Sequence, residues 1–187
     1  MGGKTTYLRS AAVAIILAQM GSFVPATAMR LPIFDAIIAR IGAGDNIQRG
    51  VSTFFHEMLE TETIFRTATE KSFVIVDELG RGTSTWDGFG LAYAIANSLV
   101  ADIKCFGMFA THYHEMASLA SKCPAAFNCH TSVFVNDEKV THLYKVEPGP
   151  CSRSYGIQIA KLVGFDDRVL ERATHLNNVS SILFHFD

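Results

Sequence analysis

The start of the chain carries residue types that can bind phosphate. It reads Met1-Gly2-Gly3-Lys4-Thr5-Thr6. Glycines let backbone N–H groups turn toward phosphate oxygens, a lysine neutralises phosphate charge, and a hydroxyl residue can ligate Mg²⁺. The full pattern G-x-x-x-x-G-K-[ST] also requires a glycine that would precede residue 1. Gly3-Lys4-Thr5 therefore predicts either a phosphate loop or a flexible start to an amphipathic helix.

A second segment places two carboxylates after an apolar run. Residues 73–76 read Phe-Val-Ile-Val and are followed by Asp77 and Glu78. A buried strand would carry Asp77 to its carboxyl end, where it can hold Mg²⁺, while Glu78 would polarise an attacking water. The alternative is a strand followed by an acidic surface turn. Because the glycine-lysine segment lies about seventy residues upstream, phosphate hydrolysis is the favoured interpretation.

Two further polar segments follow predicted strands. Residues 79–88 read Leu-Gly-Arg-Gly-Thr-Ser-Thr-Trp-Asp-Gly, which indicates an ordered polar loop or simply a strand-to-helix connection. His112, in the string Ala-Thr-His-Tyr-His-Glu, can donate a hydrogen bond to a phosphate. Its alternatives are a core histidine or a metal site with His114 and Glu115. His56-Glu57 lacks the second histidine of a zinc protease motif.

The elements that must position these residues alternate between helices and strands. Apolar periodicity and turn residues predict helices over residues 5–21, 54–69, 89–100, 114–120, 157–163 and 168–177. Strands are predicted over 72–76 and 105–110, with a hairpin formed by 129–135 and 140–147. Segments 23–25 and 31–39 are predicted as short strands or loops, 42–45 and 80–85 as turns, and 180–187 has no clear pattern.

Alternating strands and helices favour an α/β fold with a mostly parallel sheet and helices on both faces. In such sheets, ligands bind at the carboxyl ends of the strands. Asp77 and Glu78 follow one predicted strand, and Thr111 and His112 follow the next. We therefore expect these four side chains to share one functional edge.

The composition excludes several other classes. A chain of 187 residues that is 49% hydrophobic can bury a substantial core. Its net charge of −2 gives no basic field, so the sequence does not indicate that this segment binds DNA by itself. Four scattered cysteines without a C-x-x-C pair fit a reducing compartment. The apolar run over residues 11–20 is about half the ~20 residues of a membrane-spanning helix.

Together, residues 1–6, 50–54, 77–88 and 111–115 resemble the MutS mismatch-repair ATPases, a family within the ABC ATPase superfamily. The string Asp-Glu-Leu-Gly-Arg-Gly-Thr-Ser-Thr-x-Asp-Gly at 77–88 is very specific for that family. The resemblance extends to about Ala173, and residues 57–61 look most like the second eukaryotic homologue. It implies an ABC-type P-loop ATPase fold, a nuclear protein, and ATP and Mg²⁺ as cofactors.

The resemblance also implies a role for each matching residue. Asp77 would be the Walker B aspartate and a Mg²⁺ ligand with Thr5, Glu78 the catalytic carboxylate, and His112 the switch histidine. The remaining nucleotide contacts would come from the phosphate loop, the signature-loop serine that reaches the partner's nucleotide, and a residue against the adenine: Gly2, Gly3, Lys4, Thr5, Thr6, Ser52 and His130. Residues 84–87 would form the D-loop at a dimer interface.

The implied organisation is an ATPase core over residues 1–150 that lacks the start of its phosphate loop. A helix-turn-helix dimerisation element would follow over 151–178, and a tail over 179–187. The partner would be another MutS homologue in a homo- or heterodimer with composite nucleotide sites. Mismatched DNA would be contacted through modules absent from this chain, and no membrane contact is expected.

Some features depart from the family. Phe55 and His56 stand where the family has methionine and a small residue, and the leading Gly-Pro-Asn of the phosphate loop would precede residue 1. The alternative function is therefore a truncated or degenerate copy that acts only as a dimerisation module. ABC ATPases with coiled coils carry a far longer insertion between the phosphate loop and the acidic pair. Transporter ATPases carry Leu-Ser-Gly-Gly-Gln, which is absent here.

Overall fold

The computed structural model describes residues 2–42, 53–136, 139–151 and 154–183, with side chains described as far as residue 177. The chain divides into two compact units. The core unit is Gly3–Asn128, and the hairpin unit consists of Met1–Gly2 and Cys129–Asp187. The predicted boundaries at residues 150 and 178 stay predictions.

Helices and parallel strands alternate through the core unit. In chain order the elements are α1 (Lys4–Gln19), β1 (Ile37–Arg40), α2 (Thr53–Thr67), β2 (Phe73–Asp77), α3 (Thr85–Ser98), β3 (Phe106–Ala110) and α4 (Leu119–Lys122). A π-helical turn, Leu99–Ile103, continues α3, and a 3₁₀ helix, His114–Ser118, precedes α4.

The three strands form one parallel sheet in the order β1-β2-β3. All five residues of the central strand β2 are buried. Because alternate side chains of a strand point to opposite faces, Val74 and Val76 pack into one apolar cluster with Ile64 of α2. Phe73 and Ile75 pack into a second cluster with residues of α1. The predicted α/β class, with a parallel sheet covered on both faces, is confirmed.

Helix α1 ends in a Schellman motif, as the glycine at position 21 suggested. Gly21 has φ 74°, a left-handed conformation that glycine adopts without steric cost. The Ser22 N–H donates to the Leu17 carbonyl at 2.9 Å and the Gly21 N–H donates to the Ala18 carbonyl at 3.0 Å. These bonds satisfy carbonyls that the helix end leaves open.

Two helix predictions in the core unit are wrong. Helix α3 begins at Thr85 rather than at 89, because the Ser84 hydroxyl caps it by accepting the Asp87 N–H at 3.2 Å. The helix predicted over 114–120 is instead a 3₁₀ turn followed by the short α4. There the Met116 N–H bonds to the Tyr113 carbonyl three residues back, and the Ser118 hydroxyl donates to the Glu115 carbonyl.

The described residues of the hairpin unit form two antiparallel strands and two helices. They are β4 (Cys129–Asn136), β5 (Lys139–Pro148), α5 (Gly156–Leu162) and α6 (Asp167–Leu183). The predicted hairpin and helix pair are confirmed, although α6 runs beyond residue 177 into the segment that had no clear pattern. Gly164, with φ 85°, ends α5 in a second Schellman motif.

No helix in the described part of the chain has both the length and the apolar character needed to cross a membrane.

Candidate functional site

The first part of the site is the N-terminus of α1. Gly3 precedes the helix with φ 79° and supplies no side-chain cap, and the first turn contains no acidic residue. The first N–H groups of a helix lack partners within the helix and carry partial positive charge. This helix start, with Lys4 as its first residue, is therefore suited to an anion such as phosphate.

A hydroxyl of α1 meets a carboxylate at the end of β2. The Thr5 hydroxyl donates to Asp77 Oδ2 at 2.5 Å. The other carboxylate oxygen, Asp77 Oδ1, is buried and has no hydrogen-bond partner among the described residues. Hydroxyl and carboxylate oxygens are the ligands that Mg²⁺ prefers. The two residues therefore fit the predicted Mg²⁺ site.

Lys4 reaches the ends of two strands. Its ammonium group donates to the Thr111 carbonyl at 3.3 Å and lies 3.8 Å from Glu78 Oε1. The register pairs Asp77 with Ala110, so the residues that follow β2 and β3 come to the same edge of the sheet. The prediction that the residues after these two strands share one edge of the sheet is confirmed.

Glu78 has an unusual backbone and two cationic neighbours. Its φ is 52°, in the left-handed region, and its N–H donates to the Ala110 carbonyl at 2.8 Å. Its carboxylate forms an ion pair with Arg81 as well as the longer contact with Lys4. The sequence did not single out Arg81, because it read only as part of the glycine-rich loop.

His112 lies among the charges at this edge. Partial burial lowers the pKa of its imidazole, the charge on Arg81 lowers that pKa further, and Glu78 partly opposes both effects. The ring packs on Tyr113 with centroids 4.1 Å apart. A lowered pKa favours the neutral ring near pH 7, which can donate one hydrogen bond without adding charge.

Three further residues support the loop after β2 and had no clear signal in the sequence. Arg40 and Glu57 form a buried ion pair at 3.1 Å, and the Tyr113 hydroxyl donates to the Gly80 carbonyl at 3.0 Å. The sequence places Glu57 in a His-Glu pair that lacks the second histidine of a zinc protease motif, and at the start of the family match over residues 57–61. In the structure its carboxylate accepts the Gly80 N–H at 3.0 Å.

The remaining predicted site residues are Ser52, Gly2, His130 and Thr6. Ser52 lies outside the described residues. Gly2 and His130 belong to the hairpin unit, where His130 Nδ1 lies 3.1 Å from the Gly149 carbonyl oxygen. Thr6 is exposed on the first turn of α1. In the predicted D-loop, the Ser84 hydroxyl also contacts Asp87 Oδ2 at 2.9 Å.

Within the described ranges, no group of three or more histidine, cysteine, aspartate or glutamate side chains is arranged to hold a metal ion. The oxygen pair of Thr5 and Asp77 is smaller than such a group, and Mg²⁺ commonly binds through one or two protein oxygens together with phosphate oxygens and water.

A glycine-lysine-threonine helix start beside a strand-end carboxylate, on a parallel sheet covered by helices, defines a P-loop ATPase-type domain. The family model described as MutS domain V matches residues 1–180 of this chain. The chain therefore belongs to the MutS family, and the resemblance inferred from its motifs is confirmed.

Similar proteins come from fungi, animals and bacteria. The chain is 49% identical to "DNA mismatch repair protein msh-2" of Neurospora crassa over 92% of its length and 20% of that protein's. It is 47% identical to "DNA mismatch repair protein spellchecker 1" of Drosophila melanogaster over 95% of its length and 19% of that protein's. It is 46% identical to "DNA mismatch repair protein MutS" of Streptococcus sanguinis over 100% of its length and 21% of that protein's. The chain thus spans about a fifth of the relatives it matches.

Proposed function

We propose that this chain is the ATP-binding and ATP-hydrolysing domain of a DNA mismatch-repair protein. The observation that carries the proposal is the contact between the start of α1 and the end of β2, through Thr5 to Asp77 and Lys4 to Glu78. These are the hydroxyl, lysine and carboxylate groups that phosphoryl transfer from a nucleotide requires. Membership of the MutS family supports the mismatch-repair role.

Within this proposal, ATP phosphates bind at Gly2, Gly3, Lys4 and Thr6, and Mg²⁺ binds at Thr5 and Asp77. When bound, Mg²⁺ neutralises charge on the phosphate oxygens. Lys4 adds a second positive charge at the same phosphates. Because β2 is buried along its whole length, Asp77 is held on a rigid element, which favours accurate positioning.

Glu78 is proposed as the catalytic carboxylate, which orients the attacking water and accepts its proton. The ammonium group of Lys4 and the guanidinium group of Arg81 lie beside this carboxylate. His112 is proposed to donate a hydrogen bond to a γ-phosphate oxygen. The lowered pKa of its imidazole favours donation from the neutral ring.

The dimeric part of the proposal rests on the family resemblance. Ser52 and residues 84–87 would contact a second MutS homologue, His130 would lie against the adenine, and α5 with α6 would form the dimerisation element. Mismatched DNA would be bound by parts of a longer protein outside these 187 residues. The eukaryotic relatives favour a nuclear location.

The test measures ATP binding and turnover by this chain with and without Glu78→Ala. Because general-base catalysis contributes about 10²- to 10⁴-fold, the substitution should lower turnover by that factor and leave ATP binding nearly unchanged. Glu62→Ala, at an exposed position of α2, is the matched control and should change neither quantity.

Failure to bind ATP at millimolar concentration would refute the ATPase proposal for this chain and leave the dimerisation module as its function. One observation favours that second candidate. Helices α5 and α6, with the turn between them, expose several large apolar side chains: Ile159, Leu162, Val163, Phe165, Val169 and Leu176.

A further inference from the structure

A buried ion pair connects the edge of the sheet to helix α2. Arg40 is the last residue of β1, and Glu57 lies in the second turn of α2. Their side chains are 11% and 5% exposed, and Arg40 Nη2 lies 3.1 Å from Glu57 Oε1. Removing charges from water is costly, so a buried pair is retained only where further hydrogen bonds satisfy it.

Those further bonds go to the backbone on both sides of Glu78. Arg40 Nη1 donates to the carbonyl of Asp77 at 2.7 Å. Glu57 Oε1 accepts the N–H of Gly80 at 3.0 Å. The pair therefore holds the peptide group that precedes Glu78 and the amide two residues after it.

The segment held in this way has a strained conformation. Glu78 has φ 52°, which residues with a Cβ rarely adopt unless their surroundings enforce it. Its own N–H bonds to the Ala110 carbonyl, and the Tyr113 hydroxyl bonds to the Gly80 carbonyl. Of the four bonds that fix the turn, two come from the buried pair. This backbone conformation determines where the Glu78 carboxylate points.

The Nε atom of Arg40 shows that the arrangement is not optimised for ion pairing alone. Arg40 Nε lies 3.6 Å from Glu60 Oε2, and it has no hydrogen-bond partner within the described part of the chain. The arginine thus makes its short contacts to Glu57 and to the Asp77 carbonyl. These contacts indicate that Arg40 shapes the turn at Glu78 rather than pairing charges at the surface.

We propose that Arg40 and Glu57 are positioning residues that hold Glu78 in its left-handed turn and so aim its carboxylate. The inference rests on the proposed function, in which Glu78 is the catalytic carboxylate. It also has a mechanical consequence: because Glu57 belongs to α2, a displacement of that helix would pull on the Gly80 amide and reorient Glu78.

The test replaces both charges at once with apolar residues, Arg40→Met together with Glu57→Leu. Neither charge is then left buried alone. Proteins often tolerate the replacement of a whole buried ion pair by apolar residues. The matched control is Arg66→Met with Glu62→Leu, an exposed Arg–Glu pair on α2 itself. Glu57→Gln serves as the conservative variant, because its amide oxygen can still accept the Gly80 N–H.

We expect the buried double variant to turn over ATP about tenfold more slowly than the unmodified chain, or slower still. Its dissociation constant for ATP should stay within about threefold of the unmodified value, because small misplacements of a catalytic group reduce rate rather than binding. Glu57→Gln should recover most of the rate, and the control should match the unmodified chain. Equal losses in rate and binding, or no loss of rate, would overturn the proposal.

Hydrogen exchange gives a readout that does not depend on ATP hydrolysis. In the buried double variant, amides of residues 78–82 should exchange about tenfold faster, while those of β2 stay protected. If the unmodified chain neither binds nor hydrolyses ATP, the proposed function fails. The comparison of exchange rates still tests whether Arg40 and Glu57 hold the turn. Unchanged exchange over 78–82 would show that the pair does not hold the turn.

Discussion

Strand β2 and helix α5 contain similar apolar residues but differ in burial. All five residues of β2 are buried, whereas α5 has no buried residue. Ile75 of β2 is 0% exposed and Ile159 of α5 is 46% exposed. The strand lies between helices that cover both sheet faces, while apolar side chains of the helix pair remain on the surface. Large exposed apolar patches commonly mark interaction sites, so we expect the surface of α5 to take part in association and the interior strand β2 to contribute to stability.

The largest effect should come from shortening the same residue in each region. Ile75→Ala removes a side chain from the centre of the core and should lower the free energy of unfolding by about 2–5 kcal/mol. Ile159→Ala should change it by about 0.5 kcal/mol or less. Urea unfolding of both variants measures the difference. Equal losses would mean that α5 is as tightly packed as β2.

Two glycines of α3, Gly88 and Gly90, test how closely the loop after β2 packs against this helix. A Cβ at Gly80 would lie 2.7 Å from the Gly88 carbonyl oxygen, and one at Gly88 would meet the Gly80 carbonyl and the Tyr113 hydroxyl. Gly88→Ala should therefore destabilise the chain by about 1–3 kcal/mol.

The matched control is Gly90→Ala, where an added Cβ has no neighbour within 4 Å. It should stabilise the chain by about 0.5–1 kcal/mol, because glycine is a poor helix former. Thermal unfolding measures both variants. A stabilising Gly88→Ala would contradict the close approach of the loop to α3.

A charge placed between α5 and α6 tests whether their exposed apolar residues form an interface. Phe165→Asp should weaken self-association of the chain by about tenfold or more, because large aromatic residues often dominate interface energies. Sedimentation equilibrium measures the effect. The control is Phe127→Asp, because Phe127 is also exposed but belongs to the core unit. It should leave self-association unchanged. An unmodified chain that stays monomeric at high concentration would exclude self-pairing and require a different partner chain.

The smallest effect should be the pH dependence due to His112. Its pKa is lowered in the folded chain, so the unfolded chain binds a proton more readily. Stability should therefore decrease as the pH falls through about 6.5, the ordinary histidine value. His112→Asn should make the fall in Tm between pH 7.5 and 5.5 shallower. A steeper fall in the variant would contradict the direction of the pKa shift.

The sequence predicted best those elements whose conformation depends on residues nearby in the chain. The apolar run that forms β2 and the glycine that ends α1 were both identified, because burial pattern and backbone conformation are local properties. The start of α3 was missed because the Ser84 cap was not recognised within the polar loop. The 3₁₀ turn at 114–118 was missed because its periodicity resembles that of an α-helix over so few residues.

The sequence by itself determined the family and the α/β class, and it predicted Lys4, Thr5, Asp77 and Glu78 as the residues that would supply the chemistry. Only the tertiary structure decided how they are held. Arg40 and Glu57 lie on different elements, and nothing in their local sequence indicates that they meet at the loop after β2. Which buried charges meet depends on the order in which strands and helices pack, and that is fixed by the whole core.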